Sequence, residues 1–412
     1  MNRKIEIKED WLTFLTGFAL ILGAITIFRF DLPKFGWSDQ HSFLDIFSID
    51  NGQNLLLLYF TLLIVGLTTI FMRRAKLTYL IAGLSFLFFI STLAQVLAGY
   101  SMFKDAGLEF VIFALILGII IRSIIGTPQW LKDSLQSEFF IKTGLVLLGT
   151  GIIFQDVVKA GSLGLIQALV VVLVVWYFAY WLARKFKIDD ELSLMISSAV
   201  SICGVSAAIA TCGAIQGDGK KLSYVVSLVL IVALPMMIFM PLLASHLHLN
   251  PSVAGAWIGG TIDTTGAVVA TGAQLGDEAL KISTIVKLSQ NVLLGIAAVA
   301  ISFFWMIKKR AGVESKPDWK LIWDRFPKFV LGFLAASLLF SFVINSTTIS
   351  VTKDFIKGIQ TGLFSLAFVS IGLETDLSFL IKTGNGKPAL VFIGAQLFNI
   401  VFTLLVAYFL FA

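Results

Sequence analysis

The chain has 412 residues, 58% of them hydrophobic and only 14% charged, with 37 phenylalanines and a mean hydropathy of +0.92. That leaves too little polar surface for a soluble domain and defines a polytopic membrane protein. The net charge of +6 does not point to nucleic acid, because the basic residues sit in short flanks between apolar runs and so report topology.

Thirteen apolar spans are predicted in chain order, at 11–28, 54–72, 78–100, 108–125, 139–156, 163–183, 191–216, 222–245, 252–274, 282–307, 328–345, 358–375 and 387–411. Each is long enough to cross a hydrocarbon core of about 30 Å. The first, Trp11 to Phe28, has no small-residue cleavage site and reads as a retained helix rather than a signal peptide. With the N-terminus cytoplasmic, 20 Lys and Arg fall on one side and 9 on the other, which is the asymmetry of an inner cell membrane protein. An odd number of spans then places the C-terminus outside. Cys203 and Cys212 are nine residues apart in one helical run, about 13 Å at the helical rise, too far for a disulfide. With three histidines, His246 and His248 among them at a membrane edge, no metal site and no cofactor is expected.

Two pairs of segments resemble each other. "LVLLGTGIIFQDVVKAG" (145–161) and "AFVSIGLETDLSFLIKTG" (367–384) match at Gly149, Lys159 and Gly161 against Gly372, Lys382 and Gly384. They run in opposite directions, as inverted repeats require. "ATCGAIQGD" (210–218) and "ATGAQLGD" (270–277) are each followed by a Lys-x-Ser segment; in the thirteen-span topology these run the same way and fit no simple inversion.

Three spans carry unusual chemistry. In "LSLMISSAVSICGVSAAIATCGAIQGDG" (192–219), Ser193, Ser197, Ser201 and Gly204 form one stripe ahead of Ser206. It reads either as a face for close helix packing or as a helix broken near Gly204, with Ser206 capping a second half whose free N–H groups hold an anion. In "GGTIDTTGAVVATG", Gly259 and Gly260 precede Thr261, Asp263, Thr264, Thr265 and Gly266. Glycines weaken the helix, and Thr and Asp cap a restarted one. An ionised Asp in hydrocarbon costs roughly 2.5–3.5 kcal/mol on insertion scales, so Asp263 needs a partner, a proton or water; the bland alternative is a cap bonded only to backbone. In "KISTIVKLSQNVLLG" (281–295), Lys287 shares a face with Thr284 and Asn291. It either snorkels to the interface or pairs with Asp263 or a bound anion. Lys142 reads as a snorkeller, Glu374 as a vestibule or interface residue, and Pro235 and Pro241 suggest a kink.

The runs "ICGVSAAIA" (202–210), "GAWIGGTIDTTGAVVA" (255–270), "VKLSQN" (286–291), "FPKFVLGFL" (326–334) and "AFVSIGLETD" (367–376) resemble the sulfate exporter family of YeiH-like bacterial membrane proteins, in the same order, from about residue 78 onward. The resemblance implies the fold of the cation/proton antiporter and bile-acid transporter superfamily. That is all-α, with inverted five-helix repeats and crossed broken helices, here spans seven and twelve, with breaks near Gly204 and Gly372. It divides the chain into an N-terminal extension (1–104) and two halves (105–249 and 250–412). Where the family reads Gly-Gly-Thr-Ile-His-Asp-Thr-Ala-Gln-Val, this chain has Asp263, Thr264, Gly266 and Ala267 for the His, Asp, Ala and Gln, and Gln290 replaces a usual Arg. An imidazole and a guanidinium are thus missing.

These features lead to an expected secondary transporter, in the exporting sense, of a small anion such as sulfate, a sulfonate or a carboxylate. The expected substrate residues are Ser201, Gly204, Ser206, Gly260, Thr261, Thr264, Thr265, Lys287 and Asn291, with Asp263 coupling to a proton or sodium gradient. The expected partners are the anion and the lipid bilayer, with a homodimer one option for assembly. The alternative is a cation/proton antiporter using Asp263. No ATP-binding loop and no HExxH, GxSxG or paired-aspartate constellation is present, so an enzyme is not expected.

Overall fold

The structure, a computed structural model, describes residues 3–26, 29–71, 75–105, 110–309, 327–375 and 386–412. Each predicted span overlaps helix among the described residues. Three short α-helices and four 3₁₀ or π segments aside, the described helices are α1 (Arg3–Thr26), α2 (Ile49–Leu67), α3 (Leu77–Ala98), α4 (Phe110–Ile125), α5 (Ser137–Leu148), α6 (Phe154–Lys185), α7 (Asp190–Ser198), α8 (Val205–Ile215), α9 (Gly219–His246), α10 (Pro251–Thr261), α11 (Thr265–Gln274), α12 (Asp277–Lys309), α13 (Phe329–Leu338), α14 (Ser346–Glu374) and α15 (Gly386–Phe411). Eight helices among the described residues are long and apolar enough to cross a membrane. The polar residues between apolar runs start the helices: Asp189, Asp218, Asn250, Thr264 and Asn345 each accept a backbone N–H of the first turn.

The chain forms two compact units, Met1–Gln155 with Lys328–Phe379, and Asp156–Pro327 with Leu380–Ala412. These cut across the expected sequence halves, because each unit takes residues from both.

In the first unit, the expected break at Gly372 is absent. Gly372 lies inside the unbroken α14 and faces Gly118 of α4, its Cα 2.8 Å from where a Cβ on Gly118 would stand. The glycine pair lets two backbones touch, the usual way helices associate in lipid. Gly149, its counterpart in the repeat, instead ends α5 in a 3₁₀ turn, and Lys382 and Gly384 lie outside the described residues. Lys142 does not snorkel. It is held 3.0 Å from Asp10, 3.5 Å from Glu9 and 3.8 Å from Glu138, tying α5 to α1. Glu374 accepts a 2.9 Å hydrogen bond from the Ser137 hydroxyl.

In the second unit, two predicted spans do not cross. A straight helix over 191–216 would separate its flanks by about 39 Å. Yet the Lys221 ammonium lies 2.6 Å from Asp189 and 3.3 Å from Glu191. The chain enters as α7, widens into a π-helical turn at Ala199–Cys203, reverses at Gly204 (φ 60°) and returns as α8. The span over 252–274 behaves alike. It enters as α10, is extended at Ile262, restarts at Thr265 and returns as α11, so that the Ser252 hydroxyl donates to Glu278 at 2.7 Å. The 28-residue α9 separates the feet of the two hairpins, which therefore enter from opposite ends and meet at their tips. Pro235 and Pro241 both lie inside α9 without interrupting it.

The hairpins also reinterpret the second repeat. α8 is capped by Gln216 (φ 52°) and α11 is followed by Gly276 (φ 96°), both left-handed and both within the two matching words. Since one hairpin returns downward and the other upward, these segments run in opposite directions and form an inverted pair, contrary to the parallel arrangement expected from thirteen crossings. Cys203 and Cys212 are both buried and form no disulfide, as the spacing predicts. At the first hairpin's foot, burial alone would raise the Asp189 carboxyl. The Lys221 ammonium and the Leu192 N–H outweigh it and hold Asp189 below the ordinary carboxylate range.

Candidate functional site

Breaking a helix within a membrane frees carbonyls that have no water to turn to, each costing several kcal/mol if left alone. At the two hairpin tips, side chains from neighbouring helices satisfy them. Lys287 of α12 donates at 2.9 Å to Ile202 O on one tip and at 2.9 Å to Ile262 O on the other, and its third proton goes to Gln290 Oε1 at 2.8 Å. Gln290 Nε2 in turn reaches Ser201 O at 2.9 Å and Gly260 O at 3.4 Å. From α15, Gln396 donates to Thr261 O at 2.9 Å, and Asn399 to Val200 O and Thr261 O at 3.2 Å each. One helix turn further on, the Thr403 hydroxyl donates to Asn399 Oδ1 at 2.7 Å.

The expected site residues sort into distinct roles around this clasp. Ser201 is buried and its hydroxyl is spent on Ser197 O at 2.7 Å, like Ser193 and Ser197 before it. That stripe is back-bonded to its own helix and packs. Gly204 makes the turn, and a side chain there would meet Val229 Cγ1 at 2.7 Å and Asp263 Cβ at 3.0 Å. Ser206 is exposed at the start of α8, and Thr264 and Thr265 are partly exposed at the start of α11. Thr264 Oγ1 accepts from Ala267 N at 3.3 Å, and Thr265 Oγ1 from Asn291 Nδ2 at 3.2 Å. Gly260 and Thr261 contribute carbonyls to the clasp. Lys287 is 1% exposed and does not snorkel, and none of its three hydrogen bonds goes to Asp263.

Asp263 stands apart. It is 2% exposed, and neither carboxylate oxygen has a hydrogen-bond partner. It is therefore no backbone cap. Thr261 Oγ1, Thr284 Oγ1, Asn291 Oδ1 and Gln396 Oε1, from the elements that build the tips, are likewise buried without a hydrogen-bond partner. Such oxygens suit a proton or a cation at the carboxylate, since a buried ionised acid alone is costly. The N-terminal ends of α8 and α11 meet here as well, and they offer backbone N–H groups and the positive ends of two helix dipoles to an anion. No group of three or more His, Cys, Asp or Glu arranged for a metal exists among the described residues.

Sequence reasoning missed Gln396, Asn399 and Thr403, and saw Gln290 only as a substitution. The signal was present: 396, 399 and 403 form one polar stripe at helical spacing in an otherwise apolar span. Gln167, buried in α6 and donating to Ala256 O at 2.7 Å, is a second such isolated amide.

Crossing helices, two half-length hairpins and a buried polar clasp at their tips define a polytopic α-helical membrane protein with an intramembrane polar centre. The chain belongs to the family of UPF0324 membrane proteins. The family profile "Conserved hypothetical protein 698" matches residues 82–392. A UPF0324 membrane protein of Rhodopirellula baltica is 39% identical over 350 residues, 82% of this chain and 64% of the relative. Two from Nitratidesulfovibrio vulgaris are 39% identical over 345 residues (80% and 59%) and 35% identical over 404 residues (94% and 69%). The chain thus spans about three fifths of the length of the first two. No solved structure matches.

Proposed function

We propose that the chain is a secondary active transporter of a small anion, working by alternating access, and is not an enzyme. The observation that carries the reading is the meeting of two oppositely entering hairpins around a buried carboxylate without a hydrogen-bond partner. Broken helices that place dipole ends and an ionisable group at mid-membrane are the usual construction of transporter sites. A purely structural core gains nothing from a buried acid without a hydrogen-bond partner. The anion would lie against Ser206, Thr264, Thr265 and the N-termini of α8 and α11, with Asn291 orienting Thr265. Asp263 would carry the coupling ion, a proton or Na⁺.

The resemblance to the sulfate exporter family supports an oxyanion, sulfonate or carboxylate and the exporting direction, in an inner membrane. The two bare oxygens of Asp263 favour one second reading, cation/proton exchange without an organic anion. The test is thermal stabilisation of the purified protein by sulfate, sulfite, taurine, small dicarboxylates and Na⁺ across pH, beside Asp263→Asn. A ligand at 100 times its Kd stabilises by about 2.7 kcal/mol. The expected result is stabilisation by one anion, with a pH or Na⁺ dependence that disappears in the variant. A response to Na⁺ or pH alone hands the case to the antiporter, and no response at all removes Asp263 from the site.

A further inference from the structure

Each inward arm ends at the tips as a helix C-terminus. A helix C-terminus carries roughly half a negative charge, so two of them meeting amount to about one, the charge a single monovalent cation balances. The object at that point is the Lys287 ammonium, held by a carbonyl from each tip and an amide oxygen at 2.8–2.9 Å. Carbonyl oxygens gathered around one compact positive charge are how proteins replace the hydration shell of a monovalent ion.

We propose that Lys287 is a tethered cation filling a monovalent-cation site built from Ile202 O, Ile262 O and Gln290 Oε1. The butyl stem, threaded from α12, delivers covalently what a free ion would otherwise have to supply. The two hairpins are thereby locked tip to tip whatever the surrounding salt. One consequence rests on the transporter reading. With this cation permanent, the mobile charge at the tips is the proton of Asp263, so transport proceeds in sodium-free medium.

The geometry around Lys287 separates this role from a plain buried ion pair. Its donors go to neutral oxygens, and both Asp263 oxygens are left without a hydrogen bond. Lys287 acts on the Asp263 charge through space, but a lysine present only to neutralise Asp263 would aim its hydrogen bonds at it. A lysine replacing an ion between helix ends aims at their carbonyls, and this one does.

The test is cation rescue of the purified 412-residue chain. Lys287→Ala is expected to melt lower than wild type by on the order of 5–10 °C in choline chloride. At least half of that loss should return in about 100 mM ammonium, methylammonium or potassium chloride, saturably, while wild type is indifferent to which cation is present. Equal recovery in choline, or recovery in none, overturns the proposal, because either means the carbonyls do not form a cation site. If Lys287→Ala cannot be purified, Lys287→Met (apolar and similar in length) is measured in the same salts with the same criteria. Saturable stabilisation of the Asp263→Asn variant by Na⁺ or K⁺ also overturns it, since a carbonyl site already filled by Lys287 takes no second ion. Rescue without any response of wild type to the anion panel keeps the tethered cation and removes the transporter. The reverse pattern does the opposite.

Discussion

At the scale of single residues, one lysine and three amides hold the two tips together: Lys287, Gln290, Gln396 and Asn399. Asp263 and Lys287 stand out in apolar runs because an ionisable group in lipid costs free energy and calls for a reason. Gln290, Gln396 and Asn399 do not stand out, since an amide can be satisfied in many ways and its partners here are carbonyls of the two hairpin tips, remote in the chain. Yet Gln290 touches Lys287 and both tips. Gln290→Leu leaves Ser201 O, Gly260 O and one lysine proton without partners. At about 1–3 kcal/mol for each of the three buried groups so orphaned, the expected loss is at least about 3 kcal/mol. Chemical denaturation of the purified variant checks it. A loss below about 1 kcal/mol would mean the tips hold without the glutamine.

At the scale of elements, the interruptions near Gly204 and Asp263 were legible from glycine and threonine placement, but the fold-back was not. A run of about 25 apolar residues that crosses and one that enters and returns have the same hydropathy; only the pairing of their ends distinguishes them. Impermeant thiol labelling of single cysteines, in a Cys203→Ala, Cys212→Ala background, reads those ends directly. Cysteines at Lys187 and Lys220 are expected to react from one side, and those at His248 and Asp277 from the other. Crossing spans would split both pairs.

The first hairpin's foot also has a pH signature. The Asp189 carboxyl is depressed in the folded state. Its contribution is therefore present above the ordinary value of 3.8 and lost as pH falls through the folded value. Asp189→Asn is expected to lower the melting temperature modestly at pH 7, because the pair is partly exposed. The difference from wild type should close below about pH 4. A difference unchanged down to pH 3 would show that the charge on Asp189 contributes nothing to stability.

At the scale of the molecule, the all-α membrane character followed from composition alone, whereas the two compact units did not. Those units join 1–155 to 328–379 and 156–327 to 380–412, and local sequence pattern carries no trace of contacts so distant. The hairpins do improve the topology. Returning Lys220 and Lys221 to the basic side changes 20 against 9 into 22 against 7, a stronger inside bias. A phosphatase fused after Ala412 is expected to be active and a fluorescent fusion there dark; the reverse pattern would put the C-terminus in the cytoplasm. The symmetry of the hairpins has an electrical consequence. The helices flanking the tips, α8, α10 and α11, have 11, 11 and 10 residues, about 15–17 Å at the helical rise. That is half of a 30 Å core. The tips thus sit near the middle of the membrane voltage, where one charge arriving from either face crosses about half the field, roughly 1.2 kcal/mol per 100 mV. Polarising the bilayer will strengthen the hold on an ion coming from one side by as much as it weakens the hold on the same ion coming from the other.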